Sequence, residues 1–284
     1  MEDRNAKGET LEEFLAKYDD SLYRHPSNTV DMILMTVIEG QLKLLLVKRK
    51  DHPFIHDWAL PGGFINFDED METAVMRELQ EETNITDQTY FRQLYTFGNA
   101  DRDPRTRVIT TCYLSMTPAD NIRNTLAGDD AEETGWFTLE KTTLTADADG
   151  RDSVLTLSCG DIRISYSVFD RAKNNYIETR SELHPDSNAK LAADHIKAVN
   201  MAVDLLRSRA ASTGILFNLL PEEVTLRQIQ TAYEAVIGRP TDTGNFRRDI
   251  KKMLINTGHT TKAGNKYAAL YRFNPMYSYL KENL

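Results

Sequence analysis

The chain has 284 residues, a length that suits two domains, and 40% of them are hydrophobic, which supports packed cores and excludes global disorder. Its formal net charge of −9 excludes a protein coated in basic surface. The charge is uneven, however, because residues 239–272 hold eight basic and two acidic residues, a local charge of +6 that leaves −15 for the rest. This local patch indicates that a polyanion docks at one place.

The two cysteines indicate a reducing compartment. Cys112 and Cys159 have neither metal-ligand spacing nor a disulfide framework, so we expect both to be reduced and buried. The first seven residues lack an apolar signal segment, and no apolar run approaches membrane-spanning length. We therefore expect a soluble, cytoplasmic protein.

Hydrophobic periodicity and turn residues predict mixed helices and strands in the first half of the chain. The predicted elements are a helix over 11–18 that starts at a capping box, a hairpin over 30–48 that turns at 39–41, a turn-rich loop over 58–64, a helix over 70–83, strands over 91–99 and 107–116, and a strand that ends at 136–137. The helix over 70–83 is predicted to bury Met71, Val75 and Leu79.

The middle of the chain gives a weaker signal. Apolar alternation on both sides of residues 159–161 predicts a second hairpin, and a polar stretch over 171–189 follows it without a predicted element. A helix is predicted over 191–207, and serine and glycine at 210–214 predict a hinge or linker. The predicted domains are therefore 1–209 and 215–284.

Three glutamates of the helix over 70–83 carry distinctive chemistry. Glu78, Glu81 and Glu82 are spaced i, i+3 and i+4, so they share one helix face and repel one another unless a cation joins them. Oxygen-only ligands favour Mg²⁺ or Mn²⁺, and a metal-bound water can attack a pyrophosphate phosphorus. Glu69 can add a carboxylate or polarise a water, and Arg77 can pair with Glu81. The alternative is a solvated acidic helix face.

A longer pattern around these glutamates resembles the Nudix box: Leu60-Pro61-Gly62-Gly63-x5-Glu69-x7-Arg77-Glu78-Leu79-Gln80-Glu81-Glu82-Thr83-Asn84-Ile85. The resemblance implies an α/β fold, an α/β/α sandwich on a mixed sheet, and hydrolysis of nucleoside diphosphates linked to another group. It implies Glu78, Glu81 and Glu82 as metal ligands. We predict Glu69, Arg77 and Glu82 as the catalytic residues. The family's usual glycine is Asn84 here, and asparagine is the next-best residue for a left-handed helix cap.

Residues on either side of this helix in the sequence predict a ligand pocket. The candidates are Arg49, Trp58, Gly62, Gly63, Phe64 and Arg102. The arginines can hold phosphates in a forked grip, the glycines can hold the backbone close to a ligand, and an aromatic ring can stack a base. The alternatives are core packing for Trp58 and ordinary salt bridges for the arginines. The segments resemble those of the ADP-ribose-type branch of the Nudix family, which implies ADP-ribose as the ligand.

The C-terminal residues predict a winged helix-turn-helix. A capping box at 225–228 starts a helix that stops at Gly238, a second helix is predicted over 244–254, and a hairpin over 255–273 turns at 263–265. The second helix would enter a major groove, and the wing would reach phosphates. The candidate DNA contacts are Arg239, Thr243, Asn245, Arg247, Arg248, Lys251, Lys252, Lys262 and Lys266. The alternative is a domain used only for dimerisation or docking.

The combination resembles the Nudix-related transcriptional regulators of NAD metabolism over nearly the whole chain. The C-terminal motifs that carry the likeness are Leu219-Leu220-Pro221-Glu222-Glu223, Gly238-Arg239-Pro240, Asn245-Phe246-Arg247-Arg248 and Leu270-Tyr271-Arg272-Phe273. It implies a bacterial homodimeric repressor that binds operator DNA and responds to ADP-ribose or a related NAD-derived nucleotide. Because the glutamates are retained, an Mg²⁺-dependent ADP-ribose pyrophosphatase is the alternative, and both activities can hold. The segment over 147–188 is longer than the family's usual connection.

Overall fold

The computed structural model describes residues 3–83, 85, 90–122 and 131–277. Its helices are α1 (Leu11–Leu15), α2 (Met71–Thr83), α3 (His195–Arg209), α4 (Leu226–Ile237) and α5 (Thr243–Ile250). Its strands are β1 (Ser27–Ile38), β2 (Gln41–Arg49), β3 (Trp58–Ala59), β4 (Gly62–Phe64), β5 (Tyr90–Phe97), β6 (Val108–Met116), β7 (Ala131–Ala146), β8 (Gly150–Cys159), β9 (Ile162–Lys173), β10 (Tyr176–Leu183), β11 (Leu254–Ala263) and β12 (Lys266–Phe273). The cap predicted at Asn84 lies outside the described residues.

Strands β1 to β10 form one mixed sheet, as predicted. The order is β10-β9-β8-β7-β2-β1-β6-β5, with β3 added to β2 and β4 added to β1. Strands β1 and β6 run parallel, whereas the other paired neighbours run antiparallel. A parallel pair needs a long crossover, and the chain between β1 and β6 contains α2.

Helices cover the sheet on both faces, which confirms the predicted α/β/α sandwich. Successive side chains of a strand point to opposite faces. Met32 of β1 therefore joins Leu79 of α2 in one hydrophobic cluster, whereas the next residue, Ile33, joins Val203 of α3 in the other. Each of these four side chains is at most 1% exposed.

The buried stripe of α2 differs from the prediction by one position. Val75 and Leu79 are buried as expected, but Met71 in the first turn is 42% exposed. Ala74 and Glu78 complete the stripe, so the buried positions repeat with the alternating three- and four-residue spacing of a helix face. A carboxylate therefore lies on the buried side of this helix.

Two strand predictions were wrong. The strand predicted to end at residues 136–137 continues to Ala146, because its second half pairs with β8 in a long antiparallel ladder. The polar stretch over 171–189 contains β10, which pairs with β9 along its whole length. The side chains of β10 are mostly exposed, so the strand carries no alternation of hydrophobic residues. The predicted hairpin of β8 and β9 is confirmed.

Helices α4 and α5 and the β11–β12 hairpin form the predicted winged helix-turn-helix. Thr225 caps α4 through a reciprocal capping box, and Gly238 ends it in the left-handed conformation. The same hydrophobic cluster that includes α3 continues into α4 through Ile229 and Val236. Within the segment predicted as a hinge or linker, Ala210 is fully buried, Ala211 is exposed, and residues 212–214 are partly buried. The domain limits 1–209 and 215–284 stay a prediction.

Both cysteines are free thiols, although only Cys112 is buried and Cys159 is partly exposed.

Among the residues that the structure describes, no helix has the length and apolar character needed to cross a membrane.

Candidate functional site

One cavity of about 520 Å³ brings together most of the predicted ligand and catalytic residues. It is lined by parts of β1, β2, β4 and α2, by the loop before β6, and by the N-terminal end of α3. The predicted residues in its wall are Arg49, Gly62, Gly63, Phe64, Arg77, Glu78, Glu81, Glu82 and Arg102. Its volume lies within the roughly 300–1,000 Å³ usual for small-molecule sites.

Two glycines allow the backbone to lie against the glutamate helix. Gly62 has a φ of +155°, and a Cβ atom there would lie 2.1 Å from the carbonyl oxygen of Val30. A Cβ atom at Gly63 would lie 2.2 Å from Oε1 of Glu78. A side chain at Gly62 would meet backbone atoms, so only glycine fits there, whereas a side chain at Gly63 would displace the Glu78 carboxylate. Glycine at both positions allows these close approaches. They bring the backbone amide of Gly62 within 3.2 Å of Oε2 of Glu82, to which it donates a hydrogen bond.

Arg77 joins three carboxylates at the rim of the cavity. Its guanidinium donates two hydrogen bonds to Glu69, at 2.6 and 3.0 Å, and further bonds to Glu78 at 2.8 Å and Glu81 at 3.0 Å. It also donates to the carbonyl oxygen of Phe64. The hydrogen bonds from Arg77 lower the pKa of the Glu69 carboxyl to about 2, and those carboxylates raise the pKa of Arg77. The ion pair predicted between Arg77 and Glu81 is thus present.

Of the three glutamates predicted to bind metal, Glu78 is the most buried. Burial raises the pKa of its carboxyl, and the Arg77 guanidinium opposes this rise only in part. A buried carboxylate is stabilised in its charged form when a cation lies beside it. The position of Glu78 on the inner stripe of α2 therefore favours a cation at this point of the cavity wall.

The carboxylates fit a hard divalent cation in their chemistry but do not converge on a common point. Glu78, Glu81 and Glu82 all line the cavity, and oxygen donors suit Mg²⁺ or Mn²⁺. Within the described ranges, no three acidic, histidine or cysteine side chains gather closely enough to hold a metal ion. Arg77 holds Glu78 and Glu81, whereas Glu82 accepts a hydrogen bond from Gly62. The assignment of the three as metal ligands stays a prediction.

The two predicted aromatic ligand contacts have different surroundings. Trp58 is 2% exposed, and its ring packs edge-on against Phe137 with the centroids 4.7 Å apart. It is absent from the cavity wall, because β3 pairs with β2 and directs this side chain into the core. Its prediction as a ligand contact is corrected to core packing. Phe64 is 46% exposed at the cavity, with the Arg105 guanidinium 5.5 Å from its ring centroid.

Three ionisable residues of the inner wall, Asp31, Arg102 and His195, lie close together with Asp194 behind them, and we call the four the Asp31 cluster. Arg102 donates from Nη2 to Oδ1 of Asp194 over 2.9 Å. Its Nη2 lies 3.9 Å from Oδ2 of Asp31, and Nε2 of His195 lies 3.9 Å from Oδ1 of Asp31. Nδ1 of His195 accepts a hydrogen bond from the backbone amide of Leu60 over 2.9 Å. The salt bridge foreseen as an alternative for Arg102 is thus present inside the cavity.

No motif or spacing in the sequence identifies Asp194 or His195 as site residues. They lie more than 90 residues from Arg102 and Asp31 along the chain, at the start of a helix whose apolar positions suggested only core packing. Because α3 begins against β1 and the loop at Arg102, His195 lines the cavity and Asp194 pairs with Arg102 behind it. Burial lowers the pKa of the His195 imidazole, which favours the neutral ring. Because Nδ1 accepts from the amide of Leu60, the neutral ring carries its proton on Nε2.

Helix α5 presents one apolar and one polar face. Its N-terminus is capped by Asp242, whose carboxylate accepts from the amide of Asn245 over 2.8 Å. Phe246 and Ile250 are buried against the rest of the winged helix. The predicted DNA contacts on or beside α5 are all exposed: Arg239, Thr243, Asn245, Arg247, Arg248, Lys251 and Lys252. Asp249 pairs with Arg248 at 3.1 Å and is the acidic residue on this face.

The wing presents two further predicted contacts. Lys262 and Lys266 lie at the tip of the β11–β12 hairpin, where Ala263 pairs with Lys266 across the turn. Both lysine side chains are exposed. The tip and α5 thus offer basic side chains from two separate elements, which is the arrangement that lets a winged helix contact both a groove and the flanking phosphates.

These features define a two-part protein, a Nudix domain joined to a winged helix. The chain belongs to the Nudix family: residues 27–157 match the NUDIX domain, and the chain is 41% identical over 125 residues to the ADP-ribose pyrophosphatase of Methanocaldococcus jannaschii, an alignment that covers 44% of this chain and 68% of that protein. Residues 216–273 match the NrtR DNA-binding winged helix domain.

Several likenesses extend over nearly the whole chain. It is 29% identical over 264 residues to the ADPR responsive transcriptional repressor NtrR of Acinetobacter baylyi, which covers 92% of this chain and 87% of that protein. It also matches the crystal structure of Shewanella oneidensis NrtR complexed with a 27mer DNA, with a TM-score of 0.62, 27% identity, and coverage of 88% of this chain and 95% of that one. Both domains therefore occur in the same order in these proteins.

Proposed function

We propose that the protein is an ADP-ribose-responsive transcriptional repressor of NAD metabolism genes that binds operator DNA as a homodimer. The observation that carries this proposal is the joint presence, in one chain, of a polar nucleotide-sized cavity and an exposed basic helix in a winged helix. The likeness to the Acinetobacter baylyi repressor over 92% of the chain supports it.

The cavity suits a ligand that combines a diphosphate with polar end groups. Arg49 and Arg102 in its wall can pair with phosphate oxygens. A bound Mg²⁺ or Mn²⁺ would supply the positive charge that the carboxylates of Glu78, Glu81 and Glu82 need beside an anionic ligand. Arg77 would hold the carboxylates of Glu69 and Glu81 in position. Such a wall is consistent with ADP-ribose.

The basic residues suit operator DNA. Helix α5 would place Asn245, Arg247 and Lys251 in the major groove, and the wing would place Lys262 and Lys266 beside phosphates. Two winged helices in a dimer would read two half-sites. Ligand binding would alter repression only if ADP-ribose binds more tightly to one arrangement of the two winged helices than to the other.

The DNA-binding proposal is tested by removing two basic side chains from α5. We expect Arg247→Ala combined with Lys251→Ala to weaken operator binding and to lower the salt slope, because two cationic side chains would be lost from the surface that faces the DNA polyanion. The measurement is fluorescence anisotropy with labelled DNA from upstream of NAD-related genes at several salt concentrations. Arg163→Ala combined with Lys197→Ala removes the same charge from exposed positions elsewhere and should leave both quantities unchanged. If the α5 variant binds the operator with the affinity and salt slope of the wild type, α5 does not contact the DNA.

A second function is ADP-ribose pyrophosphatase activity, which the three glutamates in the cavity wall favour. Water would attack one phosphorus of the diphosphate, and the bridging P–O bond would break to give AMP and ribose 5-phosphate. We expect AMP release with Mg²⁺ to fall sharply in Glu82→Gln and to persist in Glu72→Gln, an exposed carboxylate in the first turn of the same helix. No AMP from the wild-type protein over hours would exclude this activity on ADP-ribose.

A further inference from the structure

A second cavity, of about 400 Å³, lies between α3 and the two edge strands of the sheet, β5 and β10. Strands β8 and β9 complete its wall, and it shares no lining residue with the first cavity. Because β5 and β10 are opposite ends of one sheet, the sheet curves around α3 to bring both strands to the same cavity. The volume lies within the range usual for small-molecule sites.

The two carboxylates in the wall of the second cavity already have partners within the protein. Asp204 accepts from Nζ of Lys141 at 2.7 and 2.8 Å and from Nη2 of Arg151 at 2.8 Å. Asp170 accepts from Arg151 at 2.6 and 2.9 Å and from the hydroxyl of Thr179 at 2.7 Å. Since every carboxylate oxygen accepts at least one hydrogen bond and two cations neutralise the pair, the second cavity does not favour a cation.

Two other polar groups in the same wall have unused bonding capacity. Asn200 is 4% exposed, and among the described residues its Oδ1 has no hydrogen-bond partner. A buried acceptor without a partner costs stability, so the second cavity favours a hydrogen-bond donor at Asn200. Arg92 is exposed in the same wall, and none of the described residues pairs with its guanidinium. A guanidinium binds a carboxylate strongly, so Arg92 favours an anionic group.

The remainder of the wall is apolar and comes from three elements. Leu94 and Ile177 belong to the two edge strands, whereas Met201 and Leu205 lie one turn apart on α3. Ile177 is 68% exposed, so a ligand that covers it removes apolar surface from water. A methionine side chain adapts its shape to a neighbour and makes favourable contacts with an aromatic ring. These four side chains therefore suit a small ring.

We propose that the second cavity binds a small aromatic carboxylate that carries a hydroxyl or N–H group on its ring. The carboxylate pairs with Arg92, the ring lies against the apolar side chains, and the donor on the ring bonds to Oδ1 of Asn200. This inference does not rest on the proposed function, because the two cavities are separate. Asn200 lies on α3 between His195, which lines the first cavity, and Arg207, which bonds to α4. The ligand thus contacts the helix that reaches both parts of the protein.

The test is isothermal titration of the full chain with meta- and para-hydroxybenzoate and, separately, with benzoate, which lacks the donor. We expect the wild type to bind the better hydroxybenzoate about fivefold more tightly than benzoate, because one net hydrogen bond contributes a factor of this order. Asn200→Leu keeps the size of the side chain but removes the acceptor. It should lower the hydroxybenzoate affinity to that of benzoate and change benzoate binding less than about twofold.

Arg92→Gln tests the other end of the ligand. It removes the charge that pairs with the carboxylate, so we expect all three probes to bind about threefold more weakly, the size of an exposed ion pair. Arg163→Gln is the matched control, because it removes the same charge from an exposed position that does not line the second cavity. It should leave the three affinities unchanged.

Ile177→Trp provides a further variant if Asn200→Leu does not fold, which thermal unfolding would reveal. Because Ile177 is exposed, the indole is compatible with folding, and it should fill the apolar part of the second cavity and abolish binding of all three probes. A wild-type protein that binds no probe, or that binds benzoate as tightly as both hydroxybenzoates, would overturn the inference. So would probes that dissociate an oligomer in sedimentation velocity, because a second copy of the chain would then cover this cavity.

Discussion

At the scale of single residues, the titration of His195 makes the stability of the folded protein depend on pH. Its imidazole is buried, and the charged groups that face it are Asp31 on β1, Arg49 on β2, Arg102 in the loop before β6, and Asp194 beside it. Burial outweighs the neighbouring carboxylates and lowers the pKa of the imidazole below its ordinary value of 6.5. The unfolded chain therefore binds a proton on His195 at a pH where the folded protein does not. Its contribution to stability is fully present above pH 6.5 and is lost as the pH falls toward the lowered pKa.

We predict that acidification destabilises the wild-type protein more than a variant without this titrating group. Between pH 6.5 and the lowered pKa, one proton contributes about 1.4 kcal/mol per pH unit to the free energy of unfolding. The measurement is urea unfolding at pH 7.5, 6.5 and 5.5 for the wild type and for His195→Gln. Parallel losses of stability in the two proteins would show that another group accounts for the pH dependence.

The residues of the site also show what sequence can predict. Glu78 and Gly63 were identifiable because their roles depend on spacing within a short, continuous motif. Trp58 was misplaced because an aromatic residue next to glycines fits a ligand wall and a core equally well, and only the pairing of β3 decides between them. Asp194 was missed because its partner Arg102 comes near it only when the whole sheet has formed.

At the scale of elements, the junction after α4 depends on Gly238. This glycine has a φ of +73°, and a Cβ atom there would lie 2.8 Å from Nη2 of Arg207. A side chain would thus cost the strain of the left-handed conformation and would also displace the guanidinium. Gly264 has a similar φ of +63° at the tip of the wing, but no atom lies within 4 Å of its Cβ position.

We predict that Gly238→Ala destabilises the protein more than Gly264→Ala does. Both variants pay about 1–2 kcal/mol for the backbone conformation, and only the first adds a steric cost. Urea unfolding of both variants measures the difference in the free energy of unfolding. If the two lose the same stability, the contact between Gly238 and Arg207 does not contribute.

Elements that a capping box or a turn residue marks in the sequence can be predicted, whereas β10 cannot. The capping box at Thr225 and the left-handed Gly238 are encoded within a few residues, and α4 begins and ends where they place it. Strand β10 is held by backbone pairing with β9 while its side chains stay exposed. Polar exposed strands lack the alternation by which a strand is recognised in sequence.

At the scale of the whole molecule, α3 contacts both the ligand cavity and the DNA-binding part. Its first residue, His195, lies in the cavity wall. Near its other end, Arg207 donates from Nε to the carbonyl oxygen of Val236 in the last turn of α4, and from Nη1 to the carbonyl oxygen of Lys141 in β7, both over 2.9 Å. A guanidinium at the end of α4 also complements the helix dipole. One side chain therefore fixes α4 against both the sheet and α3.

We predict that Arg207→Ala weakens the influence of ADP-ribose on DNA binding while each ligand still binds alone. The variant removes two hydrogen bonds to part-buried carbonyl groups, each worth about 0.5–1.5 kcal/mol, and loosens α4 from α3 and β7. The measured quantity is the ratio of operator affinities with and without ADP-ribose. Arg209→Ala removes the same charge from an exposed position two residues further along the chain and should leave the ratio intact. If the ratio of operator affinities in Arg207→Ala equals that of the wild type, contacts other than those of Arg207 couple the two sites.

The most direct test of the whole account is reciprocal binding by the wild-type protein. Operator affinity is measured with and without saturating ADP-ribose, and ADP-ribose affinity is measured with and without saturating operator. If one chain senses ADP-ribose and controls DNA binding, each ligand must change the affinity of the other by the same factor, and typical couplings are about 5- to 150-fold. Operator binding that is tight but indifferent to ADP-ribose, or absent altogether, would contradict the account.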